Sequence, residues 1–379
     1  MPKKSSARDK SPLLCYTMGM SLSIGIVGLP NVGKSTLFNA LTDNSILAAN
    51  YPFATIEPNT GIIAVPDARL SVLQKMYSAE KVLPATVTFV DIAGLVAGAS
   101  KGEGLGNKFL ANIRECDAIV HVVRAFTDPD VVHVNDKVDP IADIDIINTE
   151  LILADLQSIE RQLPKLEREA KSNPAARAQI EEVKKIQSAL EQGLLISSVA
   201  GLNKEIIQSL QLLSAKPVIY AFNVDETTLS DDARQNELAA IAAPADCVFI
   251  CAKLEEELRG LADDDAAELL AAYDVKESGL AQLARVAYHT LGLQSYLTAG
   301  QKEVRAWTIK QGATAPQAAG VIHTDFEKGF IAAAIVDYDD LIAAGSESAA
   351  KAAGKLRTEG RDYVMRPGDV VEFRFNVSK

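Results

Sequence analysis

The sequence predicts an α/β fold interrupted by an α-helical coiled-coil hairpin and followed by a small α+β domain. Three stretches predict it. An apolar run at residues 24–27 ends in Gly28 and is followed by Gly33-Lys34-Ser35-Thr36 and the helical run Leu37-Phe38-Asn39-Ala40-Leu41. Between residues 148 and 200 the apolar positions take up helical spacing. From about residue 295 short strand-like runs return.

The first stretch carries the chemistry. Gly28 and the Gly33-Lys34-Ser35 triplet fit the G-x-x-x-x-G-K-[ST] spacing of a phosphate-binding loop. Glycines let consecutive backbone N–H groups turn inward around an anion. The helix that follows points its N-terminus at the same phosphates. Lys34 is placed to reach the terminal phosphates, and the Ser35 hydroxyl to bind Mg²⁺.

At 379 residues, 48% of them apolar, the chain has room for two or three domains. Its net charge of −12 is uneven. Residues 1–150 carry 13 basic and 16 acidic side chains, and residues 201–294 carry 7 and 16. Residues 151–200 (7 and 7) and 295–379 (11 and 11) are balanced. An acidic chain lacks the clustered Lys and Arg that general nucleic-acid binding needs, so DNA is not an expected partner. A neutral or basic face can still meet RNA or a ribosome. Cys15, Cys116, Cys247 and Cys251 show no paired spacing, which predicts reduced thiols in a cytoplasmic protein rather than a disulfide frame or zinc site. No apolar run approaches the ~20 residues that cross a bilayer, so no membrane is expected. Residues 1–20 read as a disordered extension, with Met18 or Met20 as an alternative start.

After strand one (residues 22–27) and the first helix comes a loop with two prolines, residues 50–61. It stands where a nucleotide switch carries a Mg²⁺-binding threonine; Thr55 is the first choice and Thr60 the alternative. Residues 86–90 read as a strand running into Asp91-Ile92-Ala93-Gly94. Asp91 can hold Mg²⁺ through water, and the Gly94 N–H can reach a γ-phosphate. Five glycines in the thirteen residues from Gly94 predict a second mobile loop. Ras-type GTPases place a water-orienting glutamine directly after that glycine; here Leu95 stands there and cannot do that work. His121, inside the apolar run 119–124, reads as a core histidine. His133, in the loop beyond, is the candidate to orient or deprotonate the water. Phe126 reads either as a base-stacking ring or as core.

Leu156, Ile159, Leu163 and Leu166, then Ile180, Val183, Ile186, Leu190 and Leu194, predict two antiparallel helices across a turn at Ser172-Asn173-Pro174. Pro164 should kink the first helix or start a new segment. Residues 216–222 form a further buried strand that ends in Asn223-Val224-Asp225-Glu226. Guanine-specific proteins carry Asn-Lys-x-Asp here, the aspartate accepting from the guanine N1–H and amino group. Val224 in place of lysine and Glu226 in place of aspartate argue against guanine selectivity and admit adenine. Residues 247–250 are the last strand of this domain, and Cys251-Ala252-Lys253 caps the base site. Residues 304–309, 329–336 and 370–375 are strand-like, with a turn at 366–369, and read as a docking module.

Taken together, Gly-Leu-Pro-Asn-Val-Gly-Lys-Ser-Thr, Asn-Tyr-Pro-Phe-Ala-Thr-Ile-Glu-Pro-Asn, Asp-Ile-Ala-Gly-Leu and the Asn-Val-Asp-Glu box resemble the YchF, or Obg-like ATPase, family of P-loop proteins. The tail, with residues 301–309 and 320–326, is similar to a TGS domain. The resemblance covers residues 21–379. It implies a Ras-like nucleotide domain at 21–294, interrupted by a helical insertion at 140–205, and a β-grasp-like TGS domain at 295–379. It implies ATP hydrolysis with Mg²⁺, and association with the ribosome (its large subunit or the whole particle) or RNA in translation or stress response; with no glutamine or arginine finger evident, slow turnover is expected, and a monomer is expected. The other readings are a GTPase or dual-specificity enzyme, and a non-catalytic module gated by nucleotide. Carried onto this chain, the resemblance assigns phosphate binding to Asn31, Val32, Gly33, Lys34, Ser35 and Thr36. It assigns Mg²⁺ to Ser35 and Thr55, the adenine contact to Val224 and catalysis to His133. Asn31 matches an asparagine that coordinates K⁺ in some relatives, which implies K⁺ stimulation.

Overall fold

The computed structural model describes residues 22–43, 59–92, 105–128 and 137–376. The chain enters through β1 (Ser23–Val27), turns into α1 (Lys34–Asp43) and returns as β2 (Thr60–Ala64). Next come α2 (Ala68–Tyr77), β3 (Lys81–Leu83), β4 (Thr86–Asp91), α3 (Leu105–Glu115) and β5 (Ala118–Arg124). Three helices, α4 (Pro140–Glu169), α5 (Pro174–Glu191) and α6 (Lys204–Leu210), then precede β6 (Val218–Asn223). After α7 (Asp232–Ala242) and β7 (Asp246–Ile250) follow α8 (Ala252–Glu257), α9 (Asp263–Ala272) and α10 (Gly279–Thr290).

The first sheet has the order β2-β4-β1-β5-β6-β7 and is parallel except for β2. Its inner strands are near-continuous apolar runs because helices cover both faces. β5 is buried at every position. The loops that follow β1, β4, β5, β6 and β7 all leave at the carboxyl edge, where ligands of open parallel sheets bind. Register fixes the neighbours there: Ile26 of β1 lies beside Asp91, Arg124 beside Asn223, and Asn223 beside Ile250.

The helix α4 opens with Asp139 as N-cap, its carboxylate accepting from the Ala142 N–H, and with Pro140 at the first position. Of the residues whose spacing predicts the pair, Ile159, Val183, Ile186 and Leu190 are buried between α4 and α5, with Leu156, Leu163 and Leu166 partly buried beside them; Leu194 lies beyond α5 and is exposed. Pro164 does not start a new segment: α4 continues through it to Glu169. Both Pro164 and Glu160, whose carbonyl loses its N–H partner to the proline, lie on the exposed face, where water can serve that carbonyl. Further back, Asp155 is fully buried and accepts from the Leu213 N–H at 2.9 Å, the Ser214 N–H at 2.8 Å and the Ser214 hydroxyl at 2.6 Å. That carboxylate pins the return of the helical stretch to its start.

The C-terminal part contains β8 (Leu293–Ala299), β9 (Glu303–Lys310), α11 (Ala315–Ile322), α12 (Thr324–Lys328) and β10 (Phe330–Asp337). It ends with α13 (Tyr338–Ala344), α14 (Glu347–Ala352), β11 (Arg357–Glu359) and β12 (Asp369–Phe375). Its sheet has the order β11-β10-β12-β8-β9-β3, so one edge strand is lent by the first part. Lys81, Val82 and Leu83 lie parallel to Glu303, Val304 and Arg305. The Glu80 N–H donates to the Gln301 carbonyl at 3.0 Å, and the Arg69 guanidinium, gripped by Asp67, donates to the Pro367 carbonyl. One apolar core runs from Ile24 through Leu280 and Leu283 of α10 to Val304 and Val370. The expected boundary at residue 295 falls inside β8, within that core.

Candidate nucleotide site

At the carboxyl edge of the first sheet lies a cavity of about 810 Å³. Residues 29–31 and 33–36 line one end, residues 223–226 and 251–253 the other, and residues 126–128 the side. A cleft of this size accepts a drug-sized ligand such as a nucleotide.

The cradle is set by backbone conformation. Asn31 (φ 64°) and Gly33 (φ 89°) are both left-handed. The first intrahelical bond runs from the Leu37 N–H to the Gly33 carbonyl at 2.9 Å. The N–H groups of the first turn of α1 therefore have no partner within the helix, and Lys34, Ser35 and Thr36 line the cavity. Asn223 clamps this loop. It is buried; its Nδ2 donates to the Val32 carbonyl at 2.9 Å and its Oδ1 accepts from the Ala252 N–H at 3.1 Å. A Cβ added at Gly33 would sit 2.1 Å from that Nδ2. Asn223, expected among the nucleotide-binding residues as the head of the Asn-Val-Asp-Glu box, uses both ends of its amide to tie the phosphate loop to α8.

Lys34 Nζ donates to Asp91 Oδ1, with the two side chains 11% and 25% exposed. Asp91 ends β4, and its own N–H donates to the Asn59 carbonyl at 2.9 Å. Ser35 is exposed in the first turn of α1. Thr60, the alternative metal threonine, begins β2 opposite Val90. Thr55, Gly94, Leu95 and His133 lie outside the described residues.

At the other end Val224 is 2% exposed and donates its N–H to the Ile250 carbonyl at 2.9 Å, so it offers the cavity little beyond an apolar edge. Asp225 Oδ1 accepts from the Thr227 hydroxyl (2.8 Å), the Thr228 N–H (2.9 Å) and the Thr228 hydroxyl (2.8 Å). Partial burial pushes this carboxyl up, but those hydrogen bonds together bring it below its ordinary value. Glu226 Oε1 accepts from Lys253 Nζ at 2.8 Å, and that bond lowers the Glu226 carboxyl.

Phe126 is half-buried and lines the cavity, with the Arg124 guanidinium 4.5 Å from its ring centroid. Arg124 is itself buried; its Nε donates to the Phe126 carbonyl at 3.2 Å and its Nη2 to the Asp128 carbonyl at 3.4 Å. It shapes the loop after β5. Sequence reasoning did not single it out; the available signal was a charged residue closing an apolar strand. His121 is a core histidine, as expected. Among the described residues neither ring nitrogen has a hydrogen-bond partner, its ring lies 5.6 Å from that of Tyr220, and burial pushes its pKa down to about 3.

Glu255 was also missed. It is buried in α8 and accepts from the Gly279 N–H at 2.6 Å, at the start of α10. Burial pushes its pKa from 4.5 up to about 7, against the backbone N–H groups of Gly279 and Leu280. The folded chain holds this proton more tightly than the unfolded one. Its contribution to stability is therefore full below pH 4.5 and is lost as the pH rises to about 7. At 1.36 kcal/mol per pH unit the loss is on the order of 3 kcal/mol. Urea midpoints measured from pH 4 to 8 should fall less steeply in Glu255→Gln than in the parent; parallel profiles would overturn the assignment.

An anion cradle at the turn from β1 to α1, on the carboxyl edge of a mainly parallel sheet, defines the P-loop nucleotide-binding class of α/β proteins. Residues 23–148 match the family described as "50S ribosome-binding GTPase", and residues 293–376 match one described as "Protein of unknown function (DUF933)". Over 94% of its length the chain is 53% identical to the whole of the "Ribosome-binding ATPase YchF" of Haemophilus influenzae. It is 48% identical, again over 94% of this chain and 100% of the relative, to the protein of the same name in Bacillus subtilis. The solved structure of the Schizosaccharomyces pombe YchF GTPase superposes with a TM-score of 0.85 at 40% identity, covering 94% of this chain and 98% of that one. The chain belongs to the YchF family, as its motifs implied.

Proposed function

We propose that the chain binds ATP, hydrolyses it slowly to ADP and phosphate, and couples its nucleotide state to association with the ribosome. The observation behind the choice of ATP is the base end of the cavity. Asp225 is engaged by Thr227 and Thr228, and Glu226 by Lys253. In each, one carboxylate oxygen is already engaged, which disfavours the pair of acceptors that guanine's two donors use. Phe126, Val224, Glu226 and Lys253 form the base end, with Val224 as the apolar contact and Asn223 behind them as the clamp on the phosphate loop. The backbone of residues 31–36 and the N–H of Gly94 take the phosphates, and Lys34 reaches the terminal ones.

Ser35 and Asp91, with Thr55, would hold Mg²⁺. The donors fit: a hydroxyl and a carboxylate are hard oxygen ligands, and the described residues hold no group of three or more His, Cys, Asp or Glu that would make an all-protein cage. Mg²⁺ is bound in that way, through one or two protein oxygens, waters and substrate phosphates. When bound it would supply charge neutralisation at the terminal phosphates. His133 is the residue assigned to the attacking water, and Asn31 the residue for a K⁺ ion. Leu95 stands in place of the glutamine and the sequence shows no evident arginine finger, which supports slow turnover.

The helical pair α4–α5 and a C-terminal TGS domain are the output parts of this reading, in a cytoplasmic monomer. The ribosome as partner is supported by the relatives, which are named for ribosome binding. Among the described residues no helix is long and apolar enough to cross a membrane. Calorimetric titration with ATP and with GTP, in the absence and presence of ribosomes, tests both halves. A preference for GTP of tenfold or more sinks the ATP assignment. An affinity for ribosomes identical with ATP analogue, ADP and no nucleotide sinks the coupling.

A further inference from the structure

Lys253 and Glu226 meet because both of their backbone roots are fixed. Lys253 is the second residue of α8, whose first N–H, that of Ala252, is held by Asn223 Oδ1 at 3.1 Å. Glu226 follows the turn that Asp225 closes on Thr227 and Thr228. Each side chain lines the cavity, and Nζ and Oε1 stand 2.8 Å apart across its rim. Lys253 is 72% exposed and Glu226 29%, so the ammonium lies on the solvent side of the carboxylate.

We infer that Lys253 is a positioning residue for base selection: it holds the Glu226 carboxylate at the rim, so that guanine's N1–H and 2-amino group do not find two acceptor oxygens side by side. Adenine has no such pair of donors on that edge and loses nothing by the arrangement. Discrimination therefore comes from a penalty against the wrong base as well as from contacts to the right one. The inference rests on the reading of the cavity as an ATP site. Lys253 acts through Glu226, and its long stem alone does not suffice: the charge is what fixes the carboxylate.

The test measures affinities for non-hydrolysable ATP and GTP analogues in the full-length chain and its variants. Lys253→Met should lower the ATP-over-GTP ratio at least fivefold, mainly through tighter GTP-analogue binding, while Lys253→Arg keeps the parent ratio. In a Glu226→Gln background, Lys253→Met should move the ratio less than twofold, because there is no carboxylate left to hold. An unchanged ratio in Lys253→Met, or the same change with and without Glu226, overturns the inference and leaves the ATP assignment standing. A tenfold GTP preference in the parent chain removes both.

Discussion

Gly33→Ala is expected to weaken ATP binding by at least about 100-fold, close to 2.7 kcal/mol. Two independent costs add. The residue must keep a φ of 89°, which for a side-chain-bearing residue costs on the order of 1–3 kcal/mol. Its Cβ would also lie 2.1 Å from Asn223 Nδ2, far inside contact distance. The amide can yield only by releasing the Val32 carbonyl or the Ala252 N–H, both held by it in a buried setting. A buried polar group left unsatisfied costs about 1–3 kcal/mol. The alternative is for the cradle itself to shift, which misplaces the N–H groups that the phosphates need. Calorimetric titration reads the loss; affinity within fivefold of the parent would show that the clamp does not shape the site.

Lys34→Ala is expected to lower phosphate release at least about 1000-fold in single-turnover assays, because charge developing on the transferred phosphoryl group then lacks the lysine ammonium. The fold should survive the change. The Lys34–Asp91 pair is only 11% and 25% exposed, so truncating Lys34 leaves a partly buried carboxylate without its partner, at a cost of about 1–3 kcal/mol. A cooperative melt retained by the variant, together with lost turnover, separates chemistry from stability. Turnover within tenfold of the parent would remove Lys34 from the reaction.

The elements that sequence patterns made legible are those whose signal is local. Strands β1, β5 and β6 are buried on both faces and so read as unbroken apolar runs. The cradle announces itself because its glycine spacing encodes backbone conformation directly. Pro164 left two outcomes open, and α4 running on to Glu169 removes that of a new segment: the pattern of a breaker says nothing about which side of the helix faces water, and here the proline lies on the exposed side. The clamp was not legible either. It joins residues 32, 223 and 252, and an asparagine that closes two loops looks in sequence like one that meets a base. Arg124 and Glu255 were passed over because a lone charge beside an apolar run gives no sign that it will be buried with backbone groups as its partners.

The strand β3 has the weakest signal of all, three residues between a helix and a strand, yet it has a consequence for how the molecule comes into being. Lys81–Leu83 leave the ribosome about 220 residues before Glu303–Arg305, to which they pair. The edge of the last sheet is thus synthesised near the beginning of the chain and waits for its partner until the tail emerges. Such pairing across a long loop is slow to close. It also binds the two halves of the gene to one another: a tail transplanted alone, from residue 293 onward, carries β9 with an open edge, a template for association with other strands. Within this chain, the last sheet is therefore complete only when its edge strand from the first part is in place.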